Sequence, residues 1–323
     1  MEFLATYRSL FLDYLTDNKF DRYPNNLYQP VDYILGLGGK RIRPLLLLMA
    51  ADLVGSKAKD ALPAAMSVEV FHNFTLLHDD IMDEAPLRRG EPTVHTKYDT
   101  NTAILSGDVM MIYAYKYLEN YPAEIALKLL KVFNKMAVEV CDGQQMDMDF
   151  ESRDDVEISE YIDMITLKTS VLIGAAMQMG AIIGGMDDQS AEHLYQYGKN
   201  IGVAFQMQDD VLDTFGEPKV GKQPGGDIIQ NKKTYLYLKT LELVSESEKS
   251  EMLKLYASRP SDNTPKVARV REIMKGAHVL VHSDEVKSVY KSLAFSHLDA
   301  VQMEEEQKSQ FKAFGDYLLS RGV

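Results

Sequence analysis

Apolar residues recur at three- and four-residue spacing along almost the whole of this 323-residue chain, and sustained alternation is scarce. That is the period of a helix surface rather than of a strand. The spacing predicts helices over residues 3–19, 27–36, 43–54, 60–83, 99–119, 123–148, 158–185, 188–214 and 231–245. The C-terminal third continues with 247–257, 263–276, 278–293 and 296–320. Breaks fall at glycines and prolines, at Gly36–Gly39, Pro86–Pro92, Gly184-Gly185 and Gly216–Gly226. No low-complexity linker, charge block or strong repeat marks a boundary. The expectation is therefore one all-α domain over residues 1–323, a large helical bundle around a central cavity.

Two of these helix-like runs carry the same acidic signature. Asp79-Asp80-Ile81-Met82-Asp83 and Asp209-Asp210-Val211-Leu212-Asp213 are both DDxxD, and their flanks are apolar: Phe71, Phe74, Leu76 and Leu77 before the first, Val203, Ala204, Phe205 and Met207 before the second. Carboxylates one turn apart on a helix repel by roughly 0.2–0.5 kcal/mol per pair. A chain that does this twice, on core helices rather than on a solvated face, is expected to hold a cation there. The all-oxygen donor set favours Mg2+, partly hydrated and shared with substrate phosphates. The candidate metal residues are Asp79, Asp80, Asp83, Asp209, Asp210 and Asp213.

Basic residues lie close in sequence to each motif. After the first comes Pro86-Leu87-Arg88-Arg89-Gly90-Glu91-Pro92, an Arg pair on a constrained loop suited to bidentate grip on a polyanion. Upstream, Gly38-Gly39-Lys40-Arg41-Ile42-Arg43-Pro44 is a glycine turn opening a helix with three cations, an arrangement for phosphate without Walker spacing. After the second motif, Gly221-Lys222-Gln223-Pro224-Gly225-Gly226-Asp227 and Asn231-Lys232-Lys233-Thr234 supply further lysines. His72 lies two helical turns before Asp79 and can point the same way. Acids for metals and bases for phosphate oxygens together imply a substrate carrying diphosphate.

Composition narrows the partners. A net charge of -13 argues against nucleic acid or an anionic membrane. The one cysteine, Cys141, excludes a disulfide framework, suits a reducing cytoplasm and is expected to pack in the core. The N-terminal run mixes acids with apolar residues and has neither a basic region nor a cleavage site, so no signal peptide is expected. Residues 169–186 are uncharged, yet their glycines, Gln178 and missing interfacial anchors favour a buried helix over a membrane span.

Taken together, these motifs resemble those of the trans-isoprenyl diphosphate synthases, the polyprenyl synthetase family. FxxxxLLHDDIMD followed by LRRGEPTVH is similar to that family's first Asp-rich motif with its Arg pair, and AFQMQDDVLD followed by GKQPGGD to its second. Gly107-Asp108, Gly143-Gln144-Gln145-Met146-Asp147 and Lys168-Thr169 also correspond, in family order, and the match runs from GGKRIRP through NKKT. The resemblance implies the isoprenoid-synthase fold, a homodimer, and Mg2+-dependent head-to-tail condensation of isopentenyl diphosphate with an allylic diphosphate. Three Mg2+ ions would hold the allylic diphosphate between the two acidic motifs. By position the metal ligands would be Asp79, Asp83 and Asp209, with Asp80, Asp210 and Asp213 supporting. Arg88, Lys168, Lys222 and Lys232 would bind the allylic diphosphate, with Thr169 and Gln206 adding polar contacts. Lys40, Arg43, His72 and Arg89 would hold isopentenyl diphosphate.

The same resemblance sets a chain-length floor at Phe74 and Thr75, with Phe71 as a second barrier, and points to geranylgeranyl diphosphate ahead of farnesyl diphosphate. Two rivals differ in kind. A terpene cyclase shares DDxxD but needs no isopentenyl site, and a non-catalytic regulatory subunit tends to lose an acidic motif or a basic clamp. Two departures stand out. The chain ends Ser320-Arg321-Gly322-Val323, so closure of the isopentenyl site by a basic tail is not expected. The tract Asp147-Met148-Asp149-Phe150-Glu151 carries acids beyond the family's Gln-Asp pair and has no role in this reading.

Overall fold

The computed structural model describes residues 2–216 and 225–320. These residues are helical apart from turns and one two-residue antiparallel pair, and they group into two compact units, Met1–Lys135 with Ala175–Tyr195 and Met136–Gly174 with Gln196–Val323.

The first unit contains α1 (Glu2–Asp17), α2 (Asn25–Gly36), α3 (Ile42–Val54), a 3-10 turn (Ala58–Ala61) and α4 (Leu62–Met82). β1 (Leu87–Arg88) pairs with β2 (Glu91–Pro92), followed by α5 (Val94–Lys97), α6 (Thr100–Leu118) and the first part of α7 (Ala123–Glu151). Every residue of α3 from Pro44 to Ala51 is buried, as expected of a helix that is apolar all round. Burying each of Leu45–Leu48 stabilises the unit by about 1.5–3 kcal/mol relative to exposure. α4 lies along α6 through small residues, and the Ser67 hydroxyl donates to the Ala114 carbonyl at 2.6 Å.

The second unit contains α8 (Ile158–Ile165), a π-helical turn (Thr166–Ser170) and the start of α9 (Val171–Ile183). It continues with most of α10 (Asp188–Phe215), α11 (Gly226–Ile229), α12 (Tyr235–Leu243), α13 (Glu246–Tyr256), α14 (Thr264–Gly276), α15 (Val279–Asp299) and α16 (Glu305–Leu319). Its core runs through Tyr161, Val203, Met207, Tyr237, Met252 and Val270.

The run Ile158–Ile183 is the helix that is long and apolar enough to cross a membrane among the described residues, and 72% of its apolar window is buried within the protein. Its glycines show why. A Cβ on Gly180 would stand 2.4 Å from the Leu47 carbonyl oxygen, so only glycine lets this segment lie against α3.

Several boundaries differ from the periodicity. The helix expected from residue 231 starts at Tyr235, because Asn231 is left-handed at φ 60 and Thr234 is the extended N-cap. The break expected at 294–295 falls after Asp299, since Ala294 continues the buried stripe and a capping box between Glu304 and Gln307 starts the last helix. Cys141 is exposed, not in the core as expected. On α7 it lies on the outward stripe of Val138, Asp142 and Gln145, whereas Met136, Ala137 and Val140 turn inward.

Candidate active site

The first acidic motif closes α4. Asp83 is the C-cap, and its N–H bonds the Asp79 carbonyl at 2.9 Å. Asp79 and Asp83 are half-buried and Asp80 is buried. The β1–β2 hairpin then returns Arg88 onto Asp80, with two parallel bonds of 2.7 Å from Nε and Nη2. Burial pushes the Asp80 carboxyl up, and the guanidinium pulls against it. Asp80 thus has a protein cation as its partner.

Four residues expected around isopentenyl diphosphate gather in this unit. Arg43 donates from Nη1 to His72 Nε2 at 3.1 Å; an arginine has no acceptor, so the imidazole is the acceptor here. Burial first, then Arg43 and Arg89, hold His72 well below its usual range, so it is neutral. Arg89, left-handed at φ 57, donates to the Gly38 carbonyl, and a Cβ on Gly39 would meet its Cζ at 2.8 Å. The glycine turn is therefore shaped around Arg89 and carries exposed Lys40 beside it. Arg41 behaves differently from its neighbours. It is buried, donates to Leu35 O and to Glu69, and Asn73 bonds Glu69 in turn. The middle cation of the motif is scaffold rather than substrate-facing charge.

The chain-length candidates lie one to two turns back on α4. Phe71 is fully buried, while Phe74 and Thr75 are half-buried. Phe74 packs between Phe71 (ring centroids 5.7 Å) and His78 (4.8 Å), and Phe71 meets Phe133 at 5.2 Å. Thr75 turns its hydroxyl to the His72 carbonyl at 2.8 Å, leaving its methyl as the remaining surface. Gly107 accounts for part of the Gly107-Asp108 pair: a Cβ there would stand 2.2 Å from His78 Nε2.

In the second unit, Asp209 and Asp213 are half-buried on α10 and Asp210 is buried. Asp210 accepts from the Tyr161 hydroxyl and from Gln206 Nε2 at 3.0 Å. Burial, with Asp209 and Asp213 nearby, pushes its carboxyl up to about 7. Gln206, expected to touch diphosphate, thus has its amide on Asp210. Asp213 accepts the Asp227 N–H at 2.9 Å and its carbonyl takes the Gly225 N–H at 2.8 Å, so it anchors one end of the glycine-rich loop. Lys222 and Arg321 lie outside the described residues.

The remaining lysines meet the acidic tract. Lys168 sits on the π turn with Thr169, and Gly143 and Gly202 flank that turn so closely that a Cβ would lie 2.2 Å from Lys168 N and 2.8 Å from Ser170 Cα. Wide turns of this kind are frequent at functional sites. Lys168 Nζ donates to Asp147 at 2.6 Å, and Lys232 Nζ donates to Asp147 and Glu151 at 3.2 Å each. Lys233 is instead buried, bonding Asp154 at 3.1 Å and facing the Tyr237 ring. Sequence reasoning missed Lys266, buried with its ammonium on Asn231 Oδ1 and on the Ser258 carbonyl at 3.0 Å, where it holds the turn that presents Lys232. No motif signals such a residue; only its partners do.

Among the described residues no group of three or more His, Cys, Asp or Glu is arranged as a metal cage. Mg2+ binds through one or two carboxylates and completes its octahedron with water and substrate phosphates. The donor chemistry at Asp79, Asp83 and Asp209 is compatible with it.

The chain matches the polyprenyl synthetase family over residues 24–274. It is 39% identical over 308 residues to a geranylgeranyl diphosphate synthase of Methanosarcina mazei, covering 92% of this chain and 90% of that one. It is 44% identical over 235 residues to a geranylfarnesyl diphosphate synthase of Natronomonas pharaonis, covering 67% and 69%. A crystal structure of a geranylgeranyl pyrophosphate synthase matches at 47% identity with a TM-score of 0.95, over 99% of each chain. The fold is the all-α isoprenoid-synthase fold, as the motifs led one to expect. With the fold, the ordered motifs and these relatives in agreement, the chain belongs to the polyprenyl synthetase family.

Proposed function

We infer that this protein is a trans-prenyltransferase that condenses isopentenyl diphosphate with an allylic diphosphate, giving a short-chain prenyl diphosphate and inorganic diphosphate. The family is Mg2+-dependent in general. Asp79, Asp83 and Asp209 are the ligands we assign to Mg2+, with Asp80, Asp210 and Asp213 in support. We assign Arg88, Lys168, Lys222 and Lys232, with Thr169 and Gln206, to the allylic diphosphate, and Lys40, Arg43, His72 and Arg89 to isopentenyl diphosphate. The family match runs through residues of both units, and we take the whole chain as one synthase domain.

The observation that carries this reading is the second basic cluster: Arg43 on neutral His72, and Arg89 on the glycine turn that bears Lys40. A cyclase, which consumes one diphosphate substrate, has no use for it.

When bound, Mg2+ neutralises charge that develops on the diphosphate leaving group. Lys168, Lys232 and Arg88 stabilise the same charge as the allylic C–O bond breaks and its electron pair stays on the diphosphate oxygen. The basic cluster on α3 and the hairpin holds isopentenyl diphosphate so that attack of its double bond on the allylic cation becomes effectively unimolecular. Loss of a proton, taken up by the departed diphosphate, restores the alkene. Phe74, backed by Phe71, limits growth, because a packed ring gives little room to added methylenes. That favours geranylgeranyl diphosphate, with farnesyl diphosphate second. The exposed Ile104, Leu105 and Ile112 of α6, at 43%, 57% and 64% exposure, support a homodimer with this face covered. A reducing cytoplasm suits the single exposed thiol.

Purified protein incubated with Mg2+, isopentenyl diphosphate and each allylic starter, followed by product mass, tests the reading. Elongation that requires isopentenyl diphosphate and stops with a chelator is expected. Hydrocarbon formed from an allylic diphosphate alone would make the protein a cyclase instead.

A further inference from the structure

The acidic tract has no part in the reaction as assigned, yet its partners are two lysines that do. Residues 147 and 151 stand one turn apart on α7, so their carboxylates share a face. Asp147 takes both Lys168 and Lys232, and Glu151 takes Lys232 again. The charges of these two lysines and two carboxylates cancel. An arriving diphosphate must therefore share the ammonium groups with anions already on them.

The two acids differ in how firmly they are held. The Asp147 side chain is 12% exposed and Glu151 45%. Each ammonium has three donors, so a bond to Asp147 does not by itself saturate Lys168 or Lys232. Glu151, on the wet side, has room to swing away. The remaining tract acid, Asp149, bonds Gln145 at 2.8 Å.

We propose that Asp147 is a positioning residue that keeps Lys168 and Lys232 side by side, and that Glu151 is a displaceable counter-anion that competes with diphosphate for Lys232 and so eases release of inorganic diphosphate after each condensation. The proposal rests on the assignment of Lys232 to the allylic diphosphate. It explains why a site built to grip a polyanion carries extra acids: a lysine pair with no competitor would hold the leaving group as tightly after the reaction as before it.

Calorimetric titration of inorganic diphosphate, with Mg2+ present, into wild type, Glu151→Gln, Asp149→Asn and Lys232→Met tests this. Glu151→Gln is expected to bind diphosphate about two- to fivefold more tightly, the range of a partly exposed ion pair. The KM for the allylic diphosphate should fall in step while the KM for isopentenyl diphosphate stays put. Asp149→Asn removes the same charge without touching a lysine and should match wild type. The proposal is overturned if Glu151→Gln binds no more tightly than wild type, or if Asp149→Asn tightens binding equally. Lys232→Met separates the two levels: if diphosphate affinity is unmoved, the assignment of Lys232 to diphosphate is what failed; if it weakens but Glu151→Gln changes nothing, only the counter-anion role is lost.

Discussion

The two DDxxD motifs are alike in sequence and differ in electrostatic setting. In both, the second aspartate is buried and held by protein. At Asp80 the holder is a cation, Arg88, in bidentate contact. At Asp210 the holders are neutral, a tyrosine hydroxyl and an amide, and burial drives the carboxyl to about 7. The first motif therefore has its charge offset by a permanent neighbour. These two donors on Asp210 are both neutral, so the ionisation of that carboxyl depends more on what else is bound. A repeated motif states which atoms are offered, while its neighbours decide how readily they carry charge.

Breaking either motif at a proposed ligand should have the largest effect. Asp79→Ala and Asp209→Ala are each expected to lower Mg2+-dependent condensation by on the order of 10²–10³ with helical content unchanged, read from product formation and circular dichroism. Near-wild-type turnover in either variant removes that aspartate from the metal role.

The contrast in partners predicts unequal stability losses. Arg88→Leu leaves a buried carboxylate without its cation and should cost about 3 kcal/mol in urea unfolding. Tyr161→Phe removes one neutral donor from Asp210 and should cost about 1–2 kcal/mol. Equal losses would erase the distinction between the motifs.

The raised carboxyl of Asp210 makes a signed prediction for the metal-free protein. Its folded value, about 7, lies above the ordinary carboxylate value, so between about pH 4 and pH 7 the folded state holds a proton that the unfolded state has lost. Stability from this group therefore falls as pH rises through that window and is flat above it. Asp210→Asn should abolish that slope, gaining on wild type at pH 7.5 relative to pH 5 in thermal unfolding. Parallel profiles would mean that Asp210 is ionised throughout.

The smallest change is expected upstream of the motifs. Phe74→Ala should lengthen the product by one isoprene unit with modest change in rate, measured by mass. Its rough counterpart before the second motif, Phe205→Ala, should leave product length alone. An unchanged product from Phe74→Ala would place the floor on another residue.

Much of the helical pattern was legible in the sequence, because apolar periodicity is written within ten to twenty consecutive residues. α4, α6, α10 and α14 fall within two residues of expectation. The places that were not legible depend on local backbone choices or on distant partners. The π turn at Lys168 is allowed by Gly143 and Gly202, which come from two other helices. The burial of Arg41 depends on Glu69, and the burial of Lys266 on Asn231, neither of them near in sequence. Cys141 faces outward because it falls on the wrong stripe of α7 by one position, a difference that hydrophobicity of the residue alone does not reveal.

By itself, the sequence determined the helical class, the acidic signatures and the ordered set of basic motifs, because residue type and short spacing carry that information. Only the tertiary structure decided which charges face one another. Asp147 meets Lys232 across 85 positions of chain, and Tyr161 meets Asp210 across 49. The doubled DDxxD named the atoms offered to a cation; its neighbours, brought in by folding, set the charge each motif carries, because electrostatic energy depends on distance and burial rather than on order along the chain.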